Sequence, residues 1–166
     1  MKINLKRLKL HPRESETFYL QGRGRDSFLE GLGGKYLAPI ELEMVVENTG
    51  TVFVGRGTVN TRLQLTCSRC LQEFIYPLMA EIDALMVESI HNDIYSADEG
   101  FILFSDDAVD ILPRVEEVIF MAIGICPLCR EDCPGICPIC GQDKNVASCS
   151  CNEDTVDPRW AKLKNL

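Results

Sequence analysis

The chain has 166 residues, 46% hydrophobic and 25% charged, with a formal net charge of −8. That length suits one domain with at most a small appendage, and that apolar fraction excludes wholesale disorder. No stretch reaches the roughly 18 consecutive apolar residues of a membrane helix, and the charged N-terminus has no apolar secretory segment, so a cytoplasmic location is expected.

Ile3, Leu5, Leu8 and Leu10 suggest a first strand over residues 2–10, and residues 17–21 a second. Five glycines between Gly22 and Gly34 mark a loop. From residue 40 to residue 88 the pattern is β. Asn48-Thr49-Gly50 is a hairpin turn between residues 42–48 and 51–54. Val59, Thr61, Leu63 and Leu65 alternate with polar residues, so one side faces a core. A single strand over residues 51–66 is unusually long, which places a bulge or bend at Gly55-Arg56-Gly57. Cys67-Ser68-Arg69-Cys70 then sits at a tip between antiparallel strands, and Pro77 marks a bulge or edge in the returning strand. A short strand is expected at residues 101–104. Ile111, Leu112, Val115, Val118, Ile119, Ala122 and Ile123 recur at helical spacing, with Asp110 as N-cap, Pro113 in the first turn and Glu116 and Glu117 outward. The expected fold class is α+β: a twisted antiparallel β-sheet, one packed helix and a C-terminal cysteine-rich zinc module. Residues 1–124 form the sheet-plus-helix domain; residues 125–166 form the module, ending in a short basic helix near residues 157–166.

Nine cysteines are dense for a chain without a secretory signal, and in a reducing compartment clustered thiols read as metal ligands. Cys126, Cys129, Cys133, Cys137, Cys140, Cys149 and Cys151 crowd the C-terminal region, with Cys67 and Cys70 apart. Cys137-Pro138-Ile139-Cys140-Gly141 is a zinc-knuckle signature, because two thiolates two residues apart chelate one tetrahedral ion and the glycine allows the tight turn. Four ligands per ion give two structural Zn2+ ions. The preferred pairing is Cys137, Cys140, Cys149 and Cys151 on one, and Cys67, Cys70, Cys129 and Cys133 on the other, with Cys126 spare. Spacing alone leaves open the pairing of Cys67/Cys70 with Cys137/Cys140. An iron–sulfur cluster is the rival for residues 126–137, but one spacer is three residues where the ferredoxin run has two. A redox thiol pair normally occurs in a βαβ pattern, which is missing. No nucleophile–base pair, Walker loop or metalloprotease motif occurs, so no enzyme is expected.

Charge is segregated. Residues 1–25 hold seven Lys/Arg against Glu14 and Glu16, whereas residues 81–117 hold eleven Asp/Glu against Arg114. Lys6, Arg7, Lys9, Arg13, Arg23, Arg25 and Arg69 are the candidate phosphate contacts. The acidic middle suits a basic protein partner.

The ordered set of Thr66-Cys67-Ser68-Arg69-Cys70-Leu71 with Phe74, Val109-Asp110-Ile111-Leu112 with Glu116-Glu117, the cysteine run 126–140, the Cys-x-Cys and residues 157–163 resembles the bacterial and plastid YceD family. The resemblance implies a role in accumulation or processing of large-subunit ribosomal RNA, with that RNA or its precursor, or a basic large-subunit ribosomal protein, as partner and no membrane. Some members lack the C-terminal cysteines, so the resemblance does not itself imply zinc. Two other functional classes fit parts of the sequence: an acidic adaptor for a basic ribosomal protein without RNA binding, and a thiol-redox or iron–sulfur protein.

Overall fold

A computed structural model describes residues 1–91, 94–97 and 100–151. The order is β1 (Lys2–Asn4), α1 (Lys6–Lys9), β2 (Ser15–Gly22), β3 (Lys35–Tyr36), β4 (Ile40–Asn48), β5 (Val52–Thr66), β6 (Glu73–Glu88), β7 (Phe101–Phe104), β8 (Ala108–Asp110) and α2 (Leu112–Ile123). The fold is α+β. Its main sheet runs β2-β4-β5-β6-β7, with β3 also paired to β5. Every pairing in it is antiparallel except β6–β7, which is parallel. β1 and β8 form a separate two-stranded ribbon, Ile3 opposite Val109. Among the described residues no helix is long and apolar enough to cross a membrane.

Alternation positions the core. Ile40, Leu42, Met44 and Val46 of β4, Phe53, Val59, Leu63 and Leu65 of β5, and Leu78, Ile82, Ala84 and Met86 of β6 are buried on one face. Val115, Ile119 and Ile123 of α2 and Ile3, Leu5 and Leu8 of the N-terminal segment complete the same cluster. The opposite sheet face is exposed over most of its length, with Val87 near the β7 end buried.

Three local expectations change. Residues 2–10 are a three-residue strand followed by one helical turn, because the Asn4 side-chain oxygen accepts from the Lys6 amide at 2.9 Å and Leu5 and Leu8 then point inward at helical spacing. There is no bulge at Gly55–Gly57: β5 is one 15-residue strand whose register with β6 runs unbroken from Val52↔Val87 to Thr66↔Glu73. The glycines serve close approach instead. A Cβ at Gly57 would lie 2.0 Å from the Glu43 carbonyl oxygen, and one at Gly55 would lie 2.7 Å from the Met44 sulfur. Pro77 does lie on an edge, since β7 pairs only with Leu85 to Glu88 of β6.

The third change concerns α2. The N-cap is Ile111 rather than the expected Asp110, which ends β8 and accepts from the Leu112 amide at 3.1 Å; Gly124 ends the helix at φ 74°. Glu117 faces solvent, but Glu116 is fully buried. Its carboxylate accepts from the Arg25 amide at 2.8 Å and from the Arg25 Nε at 2.9 Å, with the Nη2 group closing the pair. Burial of a carboxylate on the inner side is tolerable only with such a partner.

Candidate metal centre

The turn between β5 and β6 is built by its own backbone. The Cys67 amide donates to the Gln72 carbonyl at 2.9 Å, and the Leu71 amide to the Cys67 carbonyl at 3.0 Å. The second Cys-x2-Cys repeats this geometry: the Cys137 amide donates to the Gln142 carbonyl at 2.8 Å, and the Gly141 amide to the Cys137 carbonyl at 2.9 Å. The flanking pairs correspond as well, Thr66↔Glu73 in one and Ile136↔Asp143 in the other. Both turns require a left-handed residue after the second cysteine. Gly141 takes it at φ 75°, and Leu71 takes it at φ 60° without a glycine's freedom. The first turn is therefore a knuckle of the same build, which its sequence conceals.

The sulfurs gather in two quartets, Cys67/Cys70/Cys129/Cys133 and Cys137/Cys140/Cys149/Cys151, each with all sulfurs within 4.8 Å of one another. Of the two pairings that spacing allowed, this is the one that links the β5–β6 tip to Cys129 and Cys133. Cys126 is exposed and belongs to neither quartet. His11 and His91 are in neither.

The first quartet joins distant parts of the chain. Cys67 and Cys133 sulfurs are 3.9 Å apart, and those of Cys70 and Cys129 3.8 Å. A tetrahedral ion with metal–sulfur bonds of ~2.3 Å needs sulfurs ~3.8 Å apart, so the donor set fits Zn2+. Backbone stitches surround it. The Ser68 amide donates to the Pro127 carbonyl at 2.9 Å, and the Ile136 amide to the Arg69 carbonyl at 3.1 Å. Gly135, at φ 72°, permits this approach: a Cβ there would lie 2.9 Å from the Arg69 carbonyl oxygen. The Arg69 amide reaches the Cys67 sulfur at 3.5 Å, and the Asn145 side-chain amide reaches the Cys133 sulfur at 3.5 Å. Asn145 and Gly135 escaped the sequence reading. The Pro134-Gly135 pair is a turn signal that could have located the glycine; nothing in the sequence marks Asn145.

Four thiolates crowded this closely repel one another, and the electrostatics show it. Burial raises the Cys67 thiol, but backbone amides of Cys129, Cys70 and Arg69 overcome that and bring it to about 6. The amides of Cys140 and Ile139 likewise bring Cys137 to about 6. Burial and the neighbouring thiols push Cys129 up to about 12, and the Cys140 thiol together with burial pushes Cys151 up to about 12. The Asn145 side-chain amide also lowers Cys133, while Cys70 and Cys149 are raised, so each quartet favours some thiolates and resists others, a conflict that a divalent cation resolves.

The basic residues are dispersed by the fold. Arg69 donates through Nη1 to the Cys133 carbonyl at 3.0 Å. Lys9 pairs with Glu88 at 2.7 Å and Asp107 at 3.2 Å. Arg7 lies 3.7 Å from both Glu14 and Glu16, and Arg25 holds Glu116. Lys6, Arg13 and Arg23 are exposed and make no ion pair among the described residues. The expected helix near residues 157–166 lies outside the described residues.

The model of the family described as large ribosomal RNA subunit accumulation protein YceD matches residues 55–166. An uncharacterized protein of Mycobacterium leprae is 27% identical over 132 residues, covering 78% of this chain and 59% of its own length. An uncharacterized protein of Mycobacterium tuberculosis is 28% identical over 136 residues, covering 78% of this chain and 62% of its own. The uncharacterized protein YlbN of Bacillus subtilis is 33% identical over 110 residues, covering 66% of this chain and 63% of its own. The chain therefore spans about three fifths of the length of these relatives. No solved structure matches. The family match begins in β5 and takes in the β5–β6 tip, α2 and all nine cysteines, so the chain belongs to the YceD family, whose description is accumulation of large-subunit ribosomal RNA.

Proposed function

We propose that the chain is a non-enzymatic, cytoplasmic ribosome-biogenesis factor that supports accumulation or processing of large-subunit ribosomal RNA. The carrying observation is the family match over residues 55–166. Two structural Zn2+ ions hold the two quartets. Support for zinc comes from the all-cysteine donor sets and the sulfur spacings, and a closed set of four thiolates leaves no open position for catalysis. The partner is large-subunit ribosomal RNA, its precursor, or a basic ribosomal protein bound to it. Of the candidate phosphate contacts, Lys6, Arg13 and Arg23 keep their charge free of ion pairs among the described residues and are the preferred ones.

Sucrose-gradient sedimentation of the tagged chain in cell extract, with and without RNase, tests the reading. Migration with large-subunit precursors that RNase abolishes is the expected result. Migration only at the top of the gradient, with normal large-subunit RNA in cells lacking the chain, overturns it. Metal analysis of the purified chain should give about two zinc ions and no iron.

A further inference from the structure

The uncovered face of the main sheet has a chemistry of its own. Register and alternation place Glu41, Glu43 and Glu47 of β4 and Glu73, Glu81 and Asp83 of β6 on it, on either side of β5. β5 contributes Arg56 and Arg62 there, with Thr58 and Asn60 between them. Neighbouring strands lie about 4.8 Å apart, so the two acidic rows run roughly 10 Å apart along a mostly neutral central strand. Large apolar side chains are interspersed. Tyr19 is 73% exposed, Met79 77%, Ile75 66% and Val45 45%. Tyr19, Gln21, Glu41, Glu43 and Asn60 line a depression of about 330 Å³.

These carboxylates differ from the ones that the N-terminal cations neutralise. Glu88, Asp107 and Glu116 are held by Lys9 and Arg25. On the open face only Asp83 has a cation within ion-pair distance, Arg56 at 3.8 Å, among the described residues.

We propose that this face, with acidic rows of β4 and β6 flanking β5, exposed Val45, Ile75 and Met79 within those rows and exposed Tyr19 beside them on β2, docks a lysine- and arginine-rich protein segment. The inference deepens the ribosome-biogenesis reading, on which it rests for the identity of a cationic protein as partner. Charge decides the occupant. RNA would be repelled by the six carboxylates, and a second copy of the same face would set like charges against each other. A cationic segment laid along β5 places its charges between two anionic rows while its aliphatic stems cover the exposed apolar side chains.

The test is a titration of the purified full chain with a short fluorescent peptide of Lys-Val-Lys-Ser repeats. The triple variant Glu41→Gln/Glu43→Gln/Glu81→Gln should bind about tenfold more weakly. A control triple variant of equal charge change, Glu30→Gln/Asp106→Gln/Glu131→Gln, should bind as the parent does. Met79→Ser, which changes no charge, should weaken binding by about threefold. Equal losses in the two triple variants, or no loss with Met79→Ser, overturn the proposal in favour of a general effect of net charge. RNA binding that the face variants reduce, or self-association that they abolish, also overturns it. The variants leave Lys6, Arg13, Arg23 and both quartets intact, so a negative gradient experiment and a negative peptide titration are separate results.

Discussion

The two cysteine quartets share a knuckle but differ in what they hold. The first draws Cys67 and Cys70, at the end of a sheet, to Cys129 and Cys133 across sequence separations of 59 to 66 residues, and three of its four thiols are buried. The second uses residues 137–151 only, with one buried thiol and one exposed. A bond that closes a long loop restrains far more of the unfolded chain than one that closes a short loop. With a metal ion bound, the first quartet would fasten the sheet to the C-terminal segment and the second would act as a local staple.

Cys133→Ser should break the comparison most severely. Losing the first ion removes a contribution on the order of 10 kcal/mol to the segment's docking. Proteolysis is expected at residues 124–132 at once, and metal content should fall to about one ion or less. Cys140→Ser should also leave about one ion but keep the segment docked. The Ser68 amide, bonded to the Pro127 carbonyl, should then remain protected from hydrogen exchange; its loss would show that the quartets are not independent.

Acidification should separate the quartets in the same order of robustness. Metal requires thiolates, so protons compete with it. The Cys67 and Cys137 pKa values are depressed by backbone amides to about 6, so the stability their thiolates supply is present above the ordinary thiol range and is lost as pH falls through about 6. The more exposed second quartet should release its ion first, read as two steps of metal release to a chromogenic chelator.

Gly135→Ala tests the fit between knuckle and segment. It places a Cβ against the Arg69 carbonyl in a left-handed backbone and should cost about 2 kcal/mol, measured by denaturant unfolding, with faster metal loss from the first quartet alone. The smallest effect compares the knuckles directly. Leu71→Gly should stabilise the first by up to about 1 kcal/mol by removing the left-handed cost, and Gly141→Leu should destabilise the second by a similar amount. Opposite signs support their equivalence; equal signs would end it.

Much of this was legible in the residues. Strict alternation over Val59, Thr61, Leu63 and Leu65 marked the inner face of β5, and all four are buried. Val115, Ile119 and Ile123 of the expected stripe mark the packed side of α2, whereas Ala122 is exposed and Leu112 and Val118 are half-buried. Ligand arithmetic set the number of quartets and left their pairing open; only the fold, which brings Cys129 and Cys133 to the β5–β6 tip, decided it. The failures share a cause. Gly55 and Gly57 looked like a bulge because a glycine signals either distortion or close approach, and only the neighbouring β4 backbone decides which. Glu116 looked exposed because Arg25, 91 residues away, cannot be seen from a helical pattern. Leu71 hid the first knuckle because the turn overrides its preference.

Charge shows the division most clearly. The sequence by itself determined a basic N-terminal segment and an acidic middle, because composition and local periodicity are properties of neighbouring residues. Only the tertiary structure decided that Lys9 meets Glu88 and Asp107, that Arg25 meets Glu116, and that Arg69 supports the Cys133 turn. It also decided that Glu41, Glu43 and Glu47, outside the acidic middle, have no cation partner among the described residues, and that they share one open face with Glu81. The reason is physical: an ion pair forms between groups a few ångströms apart, and strand pairing sets those distances across tens of residues of chain.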